Sequence, residues 1–460
     1  MPINPEWLFC NAQKNKHMKQ NLTKILLVLT LFSATLAKAQ QNEPDTLRST
    51  VAQIASDLDL LKRIKITGYI QAQFQYADSA GQASFAGGNF ASGVDKRFMI
   101  RRGRLKAQYD GAVSAKGWSL SQYVLQFDVT ERGMTIKDAY AKLTDPWCGW
   151  VSLTAGMQNR PFGFEIPFSS SLRESPERGR MSQIIFPNER DLGAMVSLQG
   201  PKTGHWNWIK LDGGMFNGTG APGAGANTAD FDKYKDFIGH LAINRTAMHE
   251  KIKYGLGGSI YHGSFVSDTA FVYTPGQPKD STGTPIDGFV KSPDKNKKGV
   301  EEKRKYFGGD VQFSIDWIIG ITTLRGEYIQ GDQPGTSKTT VSPAAIFPAG
   351  DGIYRRKFNG MYLYFVQNVL TTPLSLVVKY DLYDPNTDIS GDAIGKTGSN
   401  TSANDLAYST LGFGLIYRWD ANLKIVLYYD WVTNEKSKNL KGYEKDLKDN
   451  VITARVQVKF

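Results

Sequence analysis

The amino-acid sequence predicts an all-β chain: a transmembrane antiparallel β-barrel of about 16 strands, preceded by a short N-terminal periplasmic helix. Three observations carry this. Apolar and polar residues alternate with period two in one segment after another. The connections between segments alternate between short and long. The composition, 41% hydrophobic and 22% charged with a mean hydropathy of -0.36, leaves no series of ~20-residue apolar spans for a helical membrane protein. Disorder is excluded as well, because 24 Phe, 21 Tyr and 9 Trp give far too much to bury.

The N-terminus carries the one long apolar run. From Met18, Lys19 and Lys24 precede Ile25 to Leu36, and Ala37-Lys38-Ala39 follows. A basic flank, a short apolar core and an A-x-A site make a secretory signal peptide cut between Ala39 and Gln40, so residues 1–39 are expected to be an upstream extension plus leader, with initiation at Met18. A lipid anchor on Cys10 is disfavoured, since Trp7-Leu8-Phe9 supplies no small residue before the cysteine. Removing the leader takes five lysines and one glutamate, lowering the net charge from +11 by four, and leaves Cys148 as the single cysteine. Without internal disulfides, stability must come from backbone pairing and packing.

Residues 40–64 form the next unit. Leu47, Val51, Ile54, Leu58 and Leu61 follow spacings of four, three, four and three, the seam of a short coiled coil, with Asp57, Asp59, Lys62 and Arg63 beside it. The same stripe also suits an amphipathic helix packed on its own barrel's mouth, and the spacing leaves both open.

The barrel is expected over 65–460. In the first segment Ile66, Ile70, Ala72, Phe74 and Tyr76 alternate with Thr67, Gln71, Gln73 and Gln75; in the last, Ile452, Ala454, Val456, Val458 and Phe460 alternate with Thr453, Arg455, Gln457 and Lys459. Sixteen such segments begin near 66, 97, 118, 135, 150, 192, 206, 236, 252, 306, 320, 358, 374, 409, 423 and 451. Most run about nine to thirteen residues, the length of a tilted bilayer-crossing strand. Closure follows from physics, because lipid cannot hydrogen-bond an unpaired strand edge. Long polar connections lie on one side and short turns on the other, with the link 130–134 short where a long one is due. The aromatic clusters Met361 to Phe365 and Leu427 to Trp431 suit interfacial girdles.

Several local patterns in order resemble the phosphate-selective porin O and P family. They are Phe98-Met99-Ile100-Arg101-Arg102-Gly103-Arg104-Leu105, Lys137-Asp138-Ala139-Tyr140, Gly156-Met157-Gln158 with Pro161-Phe162-Gly163-Phe164-Glu165, Arg190-Asp191-Leu192-Gly193, and Lys379-Tyr380-Asp381-Leu382-Tyr383-Asp384. The resemblance implies a trimeric outer-membrane porin with an arginine-rich channel wall and a third outer loop folded inward. It places Arg102, Arg104 and Lys106 on the wall, and makes Arg160, Arg173, Arg178, Arg180 and Arg190 candidates of the constriction loop. The expected partners are two further copies, outer-membrane lipid and lipopolysaccharide, the assembly machinery through the terminal Phe460, and small anionic solutes, phosphate and polyphosphate among them.

The residues support this independently. On the strand from Arg97 to Tyr109, Arg102, Arg104, Lys106 and Gln108 share one parity, and a cation facing mid-bilayer costs about 2–4 kcal/mol, so that face must be the lumen. The bland reading is that these cations balance wall carboxylates such as Asp128, Asp138, Asp310, Glu327 and Asp381; mutual repulsion of cations two residues apart favours contact with anions. Asp384, Asn386, Asp388 and Asp392 imitate a calcium loop, but Ile389 stands where Gly is required, so an Asx turn is expected and no metal. No cofactor is called for. His205, His240, His249 and His262 fall in no nucleophile or metal motif, so no catalytic residue is assigned, and no nucleic-acid module is present. The competing readings are a non-conducting structural or adhesin barrel and, less favoured, a barrel hydrolase.

Overall fold

The computed structural model describes residues 44–187, 189–201, 204–220, 230, 232–293, 298–341 and 351–460. The leader expected over 1–39 lies outside them. The chain divides into two units, Met1–Lys62 and Arg63–Phe460. In the first, helix α1 spans Pro44–Lys62, with Lys62 in its last turn where a cation complements the helix dipole.

The second unit is a closed antiparallel barrel of sixteen strands: β1 Ile64–Ala77, β2 Lys96–Asp110, β3 Ser121–Thr130, β4 Gly133–Thr144, β5 Val151–Asn159, β6 Arg190–Gln199, β7 Ile209–Phe216, β8 Asp236–Ala247, β9 Ile252–Val266, β12 Glu301–Trp317, β13 Gly320–Gly335, β14 Ile353–Asn368, β15 Leu374–Asp384, β16 Tyr408–Arg418, β17 Leu423–Asn434 and β18 Val451–Lys459. The two remaining strands, β10 Val272–Gly276 and β11 Gly288–Lys291, form a hairpin in the long link between β9 and β12, and β10 lies parallel to the start of β14. Its Phe289 packs with Tyr354, Ile389, Ile394 and Leu406, giving the outer loops a small core of their own.

Closure is made by β1 and β18, in register from Tyr69 opposite Lys459 to Ala77 opposite Val451. Gly68 and Phe460 extend it by exchanging two backbone hydrogen bonds of 2.9 and 3.0 Å. A side chain at 68 is opposed by the backbone of β2, because its Cβ would lie 2.6 Å from the Arg104 carbonyl oxygen.

The wall is inverted relative to a water-soluble protein. Ile66 and Ile70 are 64% and 50% exposed, while Gln71, Gln73 and Gln75 are buried. The alternation therefore turns apolar residues to the outside and amides to the lumen, the pattern of a barrel solvated by lipid. The tryptophans define one rim. Trp118, Trp147, Trp150, Trp206, Trp208, Trp317 and Trp419 all sit at the short-turn end, leaving only Trp431 among the described residues elsewhere. The clusters expected to form girdles do so only in part. Tyr362, Tyr364 and Tyr428 are buried in the lumen, and Tyr429 and Trp431 face outward, because the period of two splits every aromatic run between the faces.

Candidate functional site

The link between β5 and β6, residues 160–189, folds into the barrel and carries the six-residue helix α2, Arg180–Ile185. Its entry is fixed by Gly163. This residue has φ +59°, and a Cβ there would stand 1.8 Å from a Glu327 carboxylate oxygen. With that space free, the Gly163 amide donates to Ser259 Oγ at 2.8 Å, and the amides of Phe164 and Glu165 both donate to Glu327 Oε2 at 3.1 Å.

Beyond the entry, the loop's apolar side chains form a core inside the barrel. Phe162, Ile166, Met181, Ile184, Ile185 and Phe186 pack against wall residues including Phe216, Ile238, Tyr261, Tyr306, Ile329 and Phe358. Each fully buried side chain of this size contributes roughly 1.5–3 kcal/mol, so the loop is held by a core like that of a soluble domain.

Two carboxylates fasten its polar edge. Glu177 receives Arg101 Nε at 2.8 Å, Arg102 Nη2 at 2.6 Å and Arg455 Nη2 at 3.0 Å. Burial opposes its ionisation, but Arg101, Arg102 and Arg455 outweigh it and hold the carboxyl well below its ordinary range. Glu189 lies within 3.0 Å of Arg178 and is paired with Arg190, with Arg104 at 4.0 Å. Burial again opposes ionisation, and these cations reverse the effect.

Arg101 and Arg102 meet one carboxylate through a register shift. Gln71 pairs with Arg102 and Ala72 with Ile100, so Arg101 is an extra residue on β2. A bulge lets two consecutive side chains serve one face. A second shift between Gln126 and Phe127 leaves Lys137 as the extra residue on β4, beside Asp138. The single-parity reading of β2 is thus corrected: it holds after the bulge and reverses before it, where Met99 is buried and Ile100 exposed.

Beside this core the loop leaves a cavity of about 890 Å³, reaching the short-turn end. Arg104, Lys106, Lys142, Arg160, Arg190 and Lys210 line it, against Asp138, Glu189, Asp212 and Asp310. Most of these charges are paired. Arg104 faces Asp128 at 3.5 Å, Arg190 faces Asp138 at 3.0 Å, Lys210 faces Asp212 at 2.7 Å and His240 faces Asp310 at 3.3 Å. Lys106 and Lys142 form no ion pair among the described residues, and both point into the space.

The expected site residues therefore separate. Arg104 and Lys106 reach the cavity, but Arg102 does not; both its Nη groups are committed to Glu177, which corrects its placement as a free wall cation. Arg160 and Arg190 border the cavity. Arg178 and Arg180 border a narrow space of about 30 Å³ with Lys379, Asp381, Asp430 and Asp449. Arg180 is stacked between Phe85 and Tyr408, 4.5 and 3.8 Å from their ring centroids. Arg173 is buried within the loop. Lys142 in the cavity wall, and Arg101, Arg455 and Glu177 in the loop's ion pairs, are site residues that the sequence alone does not single out. Parity was the available signal for Lys142, two residues from the inward Tyr140, and for Arg455 on the polar face of the last strand.

The mock calcium residues do not converge. Asp384 accepts from the Asn386 amide at 2.9 Å in an Asx turn, Asp388 pairs with Lys357, and Asp392 pairs with Lys438.

The chain is thus a closed sixteen-stranded antiparallel barrel with an inward loop and a charged internal space. No family model matches the chain, and no curated protein matches it. Among solved structures it is similar to Pseudomonas putida OprB at high pH, with 10% identity, 88% of this chain and 96% of that one covered, and a TM-score of 0.54. It is also similar to the outer membrane channel DcaP of Acinetobacter baumannii, with 13% identity, 86% and 97% coverage and a TM-score of 0.50. Salmonella typhi OmpF in complex with daunomycin gives 9% identity, 86% and 97% coverage and a TM-score of 0.50. The likeness is one of fold.

Proposed function

We propose that the chain is a porin, a passive channel for small hydrophilic solutes in the bacterial outer membrane, exported by the leader ending at Ala39 and preferring anions. The observation that carries this is the lumenal cavity of about 890 Å³, where Lys106 and Lys142 form no ion pair among the described residues. Fixed cations in a low-dielectric wall replace part of an anion's hydration, and several weak sites in sequence let it move on. Lys106 and Lys142 are the residues we assign to selectivity, with Arg104 supporting them. Phosphate and polyphosphate remain the finer reading, supported by the motif resemblance on β2, β4, β5, β6 and β15.

The test is the reversal potential of the purified protein in a planar bilayer under a potassium chloride gradient. Wild type should favour chloride, and Lys106→Gln with Lys142→Gln should move the potential toward zero while conductance persists. An unchanged potential removes these lysines from the selectivity role. A second reading, a plugged structural barrel, draws support from the apolar core that the loop builds inside the lumen; absence of any single-channel conductance would establish it over the first.

A further inference from the structure

Not every apolar side chain of the inward loop enters its core. Phe164 and Phe168 stand outside the buried cluster and are only half-buried, with their rings stacked at 4.9 Å between centroids. Pro167 beside them is exposed. All three border the cavity of about 890 Å³ that Lys106 and Lys142 line from β2 and β4. Arg325 covers part of this apolar ledge, its guanidinium carbon 5.8 and 5.1 Å from the two ring centroids. Glu174 holds Arg325 at 2.5 Å, so that charge is already matched. The cavity thus has two unlike sides: apolar loop surface open to water, and wall lysines with no ion pair among the described residues. Its volume falls within the roughly 300–1,000 Å³ of small-molecule sites.

We infer that this cavity binds organic anions that carry an aromatic ring, with the ring on Phe164 and Phe168 and the carboxylate toward Lys106 and Lys142. An inorganic oxyanion is hydrated on every side and gains nothing from an apolar ledge. A ring placed there takes two apolar surfaces out of water at once and adds the preference of aromatic rings for one another. A sugar calls for hydrogen bonds along the ledge, and phenylalanine rings, unlike those of tyrosine and tryptophan, have no polar handle to supply them. The inference rests on the assignment of Lys106 and Lys142 to anion contact and names a solute class for it.

The probes are benzoate, acetate, inorganic phosphate and benzyl alcohol, added to the purified full chain in two assays. One is calorimetric binding in detergent, and the other is interruption of single-channel current in potassium chloride. Benzoate should bind and interrupt current at concentrations several-fold below the other three, because it alone has both parts. This comparison is made on wild type and needs no variant to fold. Phe164→Ser with Phe168→Ser should bring the benzoate-to-acetate ratio several-fold closer to one, and Lys106→Gln with Lys142→Gln should weaken benzoate toward benzyl alcohol. Benzoate no tighter than acetate, phosphate or benzyl alcohol on wild type, or an unchanged benzoate-to-acetate ratio in the serine variant, would overturn the inference. Benzoate binding without any single-channel current would overturn the porin reading and leave this site standing; current without a preference for benzoate would do the reverse.

Discussion

Glu177 concentrates the chemistry of the loop in one carboxylate. Three guanidiniums converge on it, so Glu177→Gln leaves the buried Arg102 and Arg455 and the half-buried Arg101 facing a neutral amide, and breaking a buried pair from one side costs about 3–5 kcal/mol. The expected outcome is a barrel that still folds but whose segment 160–189 is cut by protease and whose conductance rises. Because the folded carboxyl is depressed, its stabilisation is complete above the ordinary glutamate range near pH ~4.3 and is lost as pH falls through the depressed value. Protease resistance of the loop should accordingly hold from neutral pH to about pH 5 and fail only in stronger acid. Failure between pH 7 and 6 would mean that Glu177 is not the fastener. This partnership was illegible in the sequence. Arg102 and Arg104 announce themselves by parity, but nothing local tells that a carboxylate 75 residues away lies against Arg102.

At the scale of elements, the period of two was enough to locate every wall strand, because lipid on one side and water on the other impose it along each crossing except at the bulges on β2 and β4. The starts expected near 66, 252, 320, 374, 423 and 451 fall within two residues of β1, β9, β13, β15, β17 and β18. The β10–β11 hairpin escaped notice, since β11 has four residues and β10 contains Pro275 and Gly276, too little for a periodic signal. The bulges at Arg101 and Lys137 escaped for a different reason: a register shift is a property of two strands and cannot be read from one. The loop's entry turn gives a sharp test. Gly163→Ala requires a left-handed backbone from a residue with a side chain and collides with Glu327, so the change should cost roughly 1–3 kcal/mol. Thermal unfolding of the barrel should move little, whereas protease cleavage within 160–189 should become fast. Equal resistance to wild type would show that the entry adapts.

For the whole molecule, the five motifs that carried the family resemblance prove to be parts of one place. Arg101 and Arg102 on β2, Asp138 on β4, Gln158 on β5, Glu165 in the loop, Arg190 on β6 and Lys379 with Asp381 on β15 surround the loop or the spaces it leaves. Their dispersal along the sequence is what a closed wall requires of a site at its centre. The strand that completes the wall also completes the seat. Along β18, Arg455 holds Glu177 and donates to the Pro176 carbonyl at 2.7 Å, and Gln457 donates to the Ser171 carbonyl at 3.0 Å. These are the residues whose backbones pair with Gln73 and Gln71 of β1. Deleting Phe460 removes the two backbone bonds with Gly68 that extend this seam, and heat-modifiability on a gel should fall to a lower temperature. Among the described strands β18 comes last, so the pairing that erases the open edge of β1 also adds Arg455 to Arg101 and Arg102 on Glu177. One strand thus seals the wall against lipid on its outer face and tightens the hold on the loop from its inner one.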